Sequence, residues 1–316
     1  MERTTVDRHS PYNAQVIFPK PSLLMRALVI FLRLKGNRLK AGRLTSLKAE
    51  LRKRARPTAA PLPQSLERLC HIRRENIKGY PVFHLAPKEV STRKHIIYTH
   101  GGAYVNPLQR VHWSLIECLI HRTGASVTVP TYPLAPEHDH QGAFTLLEQI
   151  YLSLCREIPA RNIILMGDSA GGGLALAQAL RYRDAGFELP GRLILLAPWV
   201  DLTNSAPDTD LFEQEDPMLG IEATRWCGQA WAGKLKPDNP LVSPLFGDLT
   251  ALPPVDIYQG TLDMLTPASR SLARKMTAVG GRARLFEYQG AFHVFPALPF
   301  TAEAKDVLNR IADSLL

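Results

Sequence analysis

Five residues, Gly167-Asp168-Ser169-Ala170-Gly171, constrain this 316-residue chain more than any other feature. They stand between a short apolar run, Asn162–Met166, and a stretch of small residues and helix formers, Gly172–Leu180. A strand, a sharp turn and a helix form the context in which G-x-S-x-G lifts a serine hydroxyl above the end of a sheet. Glycines on either side leave room for strand and helix to approach. The helix start then aims free N–H groups and a positive dipole end at any anion forming beside Ser169. Taken alone, the pentapeptide arises by chance in roughly one chain in ten of this length. Its meaning depends on what the rest of the chain supplies.

The length allows one large core, or a core with a cap. A composition of 45% hydrophobic and 21% charged residues is ordinary for a soluble globular protein. No apolar run reaches the ~18 residues needed to span a bilayer, and Met1–Ser10 lacks the layout of a secretory signal. Cys70, Cys118, Cys155 and Cys227 are widely spaced with no C-x-x-C pair. The last three fall in predicted helices among apolar residues, so free buried thiols and a cytoplasmic setting are expected. The formal net charge of +9 belongs to one segment: residues 1–60 hold 14 Lys/Arg against 3 Asp/Glu, and the remainder 24 against 26. The charge therefore describes an appendage, and the scarcity of aromatics within it argues against a nucleic-acid partner.

Within that appendage, Leu24, Ala27, Leu28, Phe31 and Leu34 recur at helical spacing over residues 19–35, with Arg26 and Arg33 opposite. A second candidate helix runs from Leu44 to Arg56, and Pro57–Pro63 reads as a linker. Both helices are expected to pack on the main body as part of a lid; peripheral contact of residues 19–56 with an anionic membrane is the less favoured alternative. From residue 66 the pattern alternates. Strands are predicted at Cys70–Ile77, Val82–Leu85, His95–Thr99, Ser126–Pro130, Asn162–Met166, Arg192–Ala197, Val255–Gln259 and Arg284–Tyr288. Helices are predicted near 110–123, 140–156, 170–184, 266–279 and 301–315. Short apolar runs alternating with helices specify an α/β fold, a mostly parallel central sheet covered by helices on both faces. Residues 202–247 break the rhythm, carry a further helical stretch at Ile221–Ala232, and read as an insertion contributing to the lid.

A serine hydroxyl is a poor nucleophile at neutral pH; it needs a base beside it and a third group to orient that base. In open α/β sheets such groups collect beyond the carboxyl ends of strands. Asp263 follows one predicted strand through Gly260-Thr-Leu, and His293 follows another through Gln289-Gly-Ala-Phe. Asp256 lies near the start of its strand and reads as structural. Backbone donors for an oxyanion are expected from Gly101 and Gly102, at the end of the strand His95–Thr99, and from Ala170 at the helix start. His138 and His140 alternate on a loop without an identified third ligand, so an exposed polar turn is expected there, and no metal.

With these residues in place the chain resembles the hormone-sensitive lipase family of α/β-hydrolases, which includes bacterial carboxylesterases and acetyl esterases. The resemblance covers roughly residues 66–316. It rests on His100-Gly-Gly-Ala, Tyr132-Pro-Leu-Ala-Pro-Glu137, the Ser169 pentapeptide, Pro198-Trp-Val-Asp-Leu202, Ser243-Pro-Leu245, Gly260-Thr-Leu-Asp-Met-Leu265 and Gly290-Ala-Phe-His-Val-Phe295. The order Ser169, Asp263, His293 is the α/β-hydrolase order. The resemblance implies a catalytic domain over 66–316, a cap built from residues 1–65 and the 202–247 insertion, and no cofactor. It also implies hydrolysis of short- to medium-chain carboxylic esters through an acyl-enzyme on Ser169. Ala103 stands where the family has a third glycine, so it is the weakest expected oxyanion donor. A membrane-surface lipase using the basic helix and a non-catalytic ligand-binding protein are the alternatives.

Overall fold

A computed structural model describes residues 5–6, 13–36, 43–54, 57–89 and 92–315. The elements run β1 (Thr5–Val6), β2 (Asn13–Ile17), α1 (Leu23–Lys35), α2 (Leu44–Lys53), α3 (Gln64–Leu69), β3 (Cys70–Ile77), β4 (Tyr80–Pro87), β5 (His95–Thr99), α4 (Arg110–Thr123), β6 (Ser126–Pro130) and α5 (His140–Cys155). They continue with β7 (Ile163–Asp168), α6 (Ala170–Asp184), β8 (Arg192–Leu196), α7 (Thr209–Glu215), α8 (Ile221–Ala232), β9 (Val255–Leu262), α9 (Thr266–Ala278), β10 (Ala283–Phe292) and α10 (Ala302–Leu315). The end of the second predicted helix, residues 55–56, lies outside the described residues.

One ten-stranded sheet has the order β1-β2-β10-β9-β8-β7-β5-β6-β4-β3. Every pair from β2 to β6 is parallel, and the antiparallel pairs stand at the two ends. Strands β5 and β7 are buried along their whole length, as continuous apolar runs between two helical layers must be. Their residues divide between two cores with the two-residue period of a strand. Ile97 and Leu165 face one core with α5, α6, α8 and α9, while Ile96 and Met166 face the other with α4 and α10. Among the described residues no helix is long and apolar enough to cross a membrane.

Two features of the N-terminal region differ from the expectation. Residues 13–17, ahead of the first predicted helix, form β2, for which no strand was expected, and add in parallel to the free edge of β10. The stretch read as a linker is tied down: Ala60 N donates to Leu108 O at 2.8 Å and Trp113 Nε1 donates to Ala60 O at 2.9 Å. Helix α1 starts on a side-chain cap, with Met25 N donating to Ser22 Oγ at 3.1 Å, and Ser22 is itself held by the buried Glu303 of α10. Helix α2 lies on the opposite core and packs on α8, with Lys48 Nζ over the Trp226 ring at 5.4 Å.

Candidate active site

Because β5, β7, β9 and β10 are mutually parallel, their carboxyl ends share one edge, and the chain leaves them at His100, Ser169, Asp263 and His293. Ser169 turns directly from β7 into α6 with φ 50° and ψ −122°. This left-handed backbone costs a non-glycine residue of order 1–3 kcal/mol. It is held by three hydrogen bonds: Ser169 N donates to Leu196 O at 2.9 Å, and Ser169 O accepts from Trp199 N at 2.8 Å and Gly173 N at 3.1 Å. Gly171 makes the tight turn feasible, since a Cβ there would lie 2.0 Å from Thr99 O.

The fold brings the three side chains named from the sequence into one relay. His293 Nε2 lies 2.9 Å from Ser169 Oγ, and His293 Nδ1 lies 2.8 Å from Asp263 Oδ2. Asp263 is fixed from two other sides, by Gln259 Nε2 donating to Oδ2 at 2.7 Å and Leu265 N donating to Oδ1 at 2.9 Å. That environment leaves His293 Nδ1–H pointing at a carboxylate and Nε2 free to accept from the serine hydroxyl. Burial disfavours the imidazolium, but the Asp263 carboxylate outweighs it, aided by Asp216 and Asp168. The His293 pKa is raised above its ordinary 6.5.

Asp216 escaped the sequence reading. It sits in the insertion, just ahead of α8, yet its buried carboxylate accepts from Met264 N at 2.8 Å, Met218 N at 2.7 Å and Leu219 N at 2.9 Å. It thereby ties the insertion to the loop that carries Asp263. Burial, reinforced by the Asp263 charge, pushes its carboxyl up to about 7, against the pull of His293. The only local signal is an Asp-Pro pair in a loop, which ordinarily marks no more than a turn.

The oxyanion loop corrects one expectation. Gly101 was expected to offer its N–H to the substrate, but that N–H donates to Asp168 Oδ1 at 2.9 Å. The middle acid of the pentapeptide therefore anchors the loop. Tyr98 Oη donates to the same Oδ1 at 2.6 Å, and His112 Nε2 approaches Oδ2 at 3.5 Å. Although burial works against it, His112, Tyr98 and the Gly101 amide hold the Asp168 carboxyl below its ordinary range. Gly102 and Ala103 line the same cavity as Ser169, and no acceptor for their N–H groups is found among the described residues. Gly102 has φ +119°, and its carbonyl is turned away by Asn106 N at 2.8 Å and Asn106 Nδ2 at 3.1 Å. Ala103 adopts φ 55°, the region where the missing third glycine was expected to matter; the loop imposes it on alanine. Ala170, at the first position of α6, keeps one of the amides that a helix start leaves without an internal acceptor.

The remaining histidines take other roles. Burial and His112 push the pKa of His100 down to about 3; its Nδ1–H donates to Gly101 O at 2.7 Å and its ring stacks on Tyr132. His138 and His140 do not form the exposed turn expected for both. His138 is exposed beside Tyr80 Oη, while His140 is buried at the start of α5 with Nδ1 3.3 Å from Trp231 O.

Ser169 opens into a cavity of about 530 Å³ with largely apolar walls. Leu28, Phe31 and Leu32 of α1 form one side and Met218, Leu219 and Thr224 of the insertion another, with Trp199, Leu298 and Phe300 among the remaining lining.

Residues 96–297 match the α/β hydrolase fold family. An esterase of Acinetobacter venetianus is 32% identical over 249 residues, covering 78% of this chain and 79% of that protein. The putative acetyl-hydrolase LipR of Mycobacterium tuberculosis is 33% identical over 246 residues, 77% of this chain and 80% of its own. Among solved structures, a hormone-sensitive lipase from a metagenome library superposes with a TM-score of 0.77 at 26% identity, over 92% of this chain and 97% of that one. Fold, edge and relatives agree, and the chain belongs to the α/β hydrolase fold family, in its hormone-sensitive lipase group of carboxylic ester hydrolases.

Proposed function

We propose that this chain hydrolyses short- to medium-chain carboxylic esters through an acyl-enzyme on Ser169, with His293 as general base and acid and Asp263 as its orienting partner. The observation that carries the reading is the Ser169–His293–Asp263 relay at 2.9 and 2.8 Å, opening into an apolar cavity. His293 Nε2 takes the Ser169 proton as Oγ bonds to the ester carbonyl carbon. The N–H groups of Gly102, Ala103 and Ala170 receive the oxyanion, each donor contributing about 3–4 kcal/mol in comparable sites. The imidazolium, stabilised by Asp263, returns the proton to the alkoxide as the carbon–oxygen bond breaks. Water then repeats the sequence and releases the acid.

The walls supplied by α1 and the Met218–Thr224 stretch support reading residues 1–65 and 202–247 as a cap over a catalytic domain at 66–316. The substrate is a small-molecule ester, and no cofactor or nucleic acid enters the reaction. Four free thiols support a cytoplasmic setting.

A p-nitrophenyl ester series from acetate to palmitate, run on the wild type and on Ser169→Ala, tests the reading. The expected result is highest kcat/KM among the shorter chains, a burst of p-nitrophenol at the acyl-enzyme stage, and a loss of about 10⁶-fold in kcat for Ser169→Ala. A variant retaining a tenth of the rate would remove Ser169 from its role, and a preference for palmitate would overturn the chain-length assignment.

A further inference from the structure

The helical spacing of Leu24, Ala27, Leu28, Phe31 and Leu34 led us to expect that face of α1 against the body. The helix instead turns Met25 and Val29 inward, with Leu28 and Leu32 half-buried beside them. Leu23 is 82% exposed, Ile30 58%, Phe31 56% and Leu34 83%. Projected at about 100° per residue, Ile30, Leu23, Leu34, Ala27 and Phe31 form one unbroken exposed arc. Arg26 and Arg33 border it on one side and Lys35 on the other. Single exposed leucines need no explanation, but a contiguous apolar strip rimmed by cations on one helix does.

Two further observations say what covers it. The strip is continuous with the mouth of the cavity above Ser169. Phe31 belongs to both, and Phe300 and Val111, which line the same cavity, are themselves 54% and 39% exposed. The helix itself carries Arg26, Arg33 and Lys35 and no Asp or Glu, although Arg33 is also paired with Glu215 Oε2 at 2.8 Å. An apolar arc with flanking cations matches the layering of an anionic bilayer, where acyl chains lie beneath negative headgroups.

We infer that α1 is an interfacial helix that seats the protein on an anionic phospholipid surface with the cavity mouth turned toward the lipid. Leu23, Ile30 and Leu34 enter the acyl boundary, and Arg26 and Lys35 meet the headgroups, while Arg33 stays held by Glu215. Esters dissolved in the bilayer then reach Ser169 past Phe31 without crossing bulk water.

Co-sedimentation of the full chain with vesicles tests this without requiring turnover. Vesicles of phosphatidylcholine containing phosphatidylglycerol are compared with pure phosphatidylcholine, using wild type, Ser169→Ala and the triple variant Leu23→Gln, Ile30→Gln, Leu34→Gln. The three triple-variant side chains lie on the exposed arc and outside the cavity lining, and thermal melting checks that the fold is intact. Wild type and Ser169→Ala should pellet equally with the anionic vesicles, more weakly as salt rises. The triple variant should partition at least about tenfold less while hydrolysing water-soluble p-nitrophenyl butyrate at the wild-type rate. The inference is overturned if wild type stays in the supernatant, or if the triple variant pellets as well as wild type. It is equally overturned if light scattering finds a wild-type dimer that the triple variant dissolves with no vesicle binding, which would assign the arc to a second copy of this chain.

Discussion

Asp216 gives the site a third buried carboxylate within electrostatic reach of His293, beside Asp263 and Asp168, and its effect has a definite sign. In the proposed cycle His293 enters neutral, so kcat/KM should fall as pH drops through its pKa. That pKa is raised, so the acid limb should lie above pH 6.5. Asp216 is itself pushed up to about 7 and interacts with His293, so the limb reports the two groups together. Asp216→Asn removes a charge that favours the imidazolium, so a pH–rate profile should show the limb moved to lower pH. A limb left in place would exclude Asp216 from the electrostatics of the base. Melting should also show lost stability, because the amide offers one acceptor oxygen where the carboxylate served both Met264 and the Met218–Leu219 turn. A second residue-scale outcome concerns Gly102. A Cβ there would lie 2.7 Å from Asn106 O on a backbone with φ +119°. Gly102→Ala should cost about 10²-fold or more in kcat through a displaced oxyanion donor, with KM little changed; steady-state kinetics with p-nitrophenyl butyrate separates the two. Ser169, Asp263 and His293 were legible in the sequence because each follows a strand whose direction is common to all. The use of Gly101 N–H was not legible, since the direction of an amide after a strand depends on a partner 67 residues away.

At the scale of elements, the strands and helices that pack locally periodic faces were readable. The eight predicted strands all appear, as do the helices beyond residue 60 that carried a clear pattern. Strand β2 was missed because Asn13–Ile17 shows little of its own pattern; it becomes a strand by pairing with the edge of β10, a contact no local window contains. Helix α1 was placed correctly but rotated wrongly. It is apolar on two sides, so spacing alone could not say whether Met25/Val29 or Leu24/Phe31 would meet the core. What orients it is partly polar. Ser22 N and Oγ donate to Glu303 Oε1 and Oε2 at 2.7 and 3.0 Å, fixing the start of α1 to α10. Glu303→Ala leaves the Ser22 amide unpaired and should cost about 1–3 kcal/mol in chemical denaturation. With α1 forming a wall of the cavity, the same variant should raise KM more than it lowers kcat.

Across the whole molecule, reactivity and cohesion occupy opposite edges of one sheet. The carboxyl ends of β5, β7, β9 and β10 gather the groups of the proposed reaction. At the amino ends, Asp256 of β9 binds Arg192 at 2.7 Å and Arg284 at 2.6 Å, joining β8, β9 and β10. Asp256→Ala leaves two arginines facing each other and should destabilise by about 2–3 kcal/mol, less than a fully buried pair because both cations keep contact with water. Denaturant melts should register that loss while kcat on a soluble ester stays unchanged.

Strand β2 carries a consequence of its own. It pairs along β10 from Arg284 to Tyr288, and β10 ends at the residue before His293. Five residues after β2 the chain enters α1, and at that junction Gly290 packs so close to Pro21 that a Cβ would lie 2.7 Å from Pro21 Cγ. The cavity wall formed by α1 and the strand that leads to His293 are thus joined through one short stretch of chain, which should make them open together. Hydrogen–deuterium exchange should find β2, α1 and the end of β10 protected to the same degree and released together. An opening of α1 wide enough to admit a bulky ester should then also loosen the end of β10 that leads into His293.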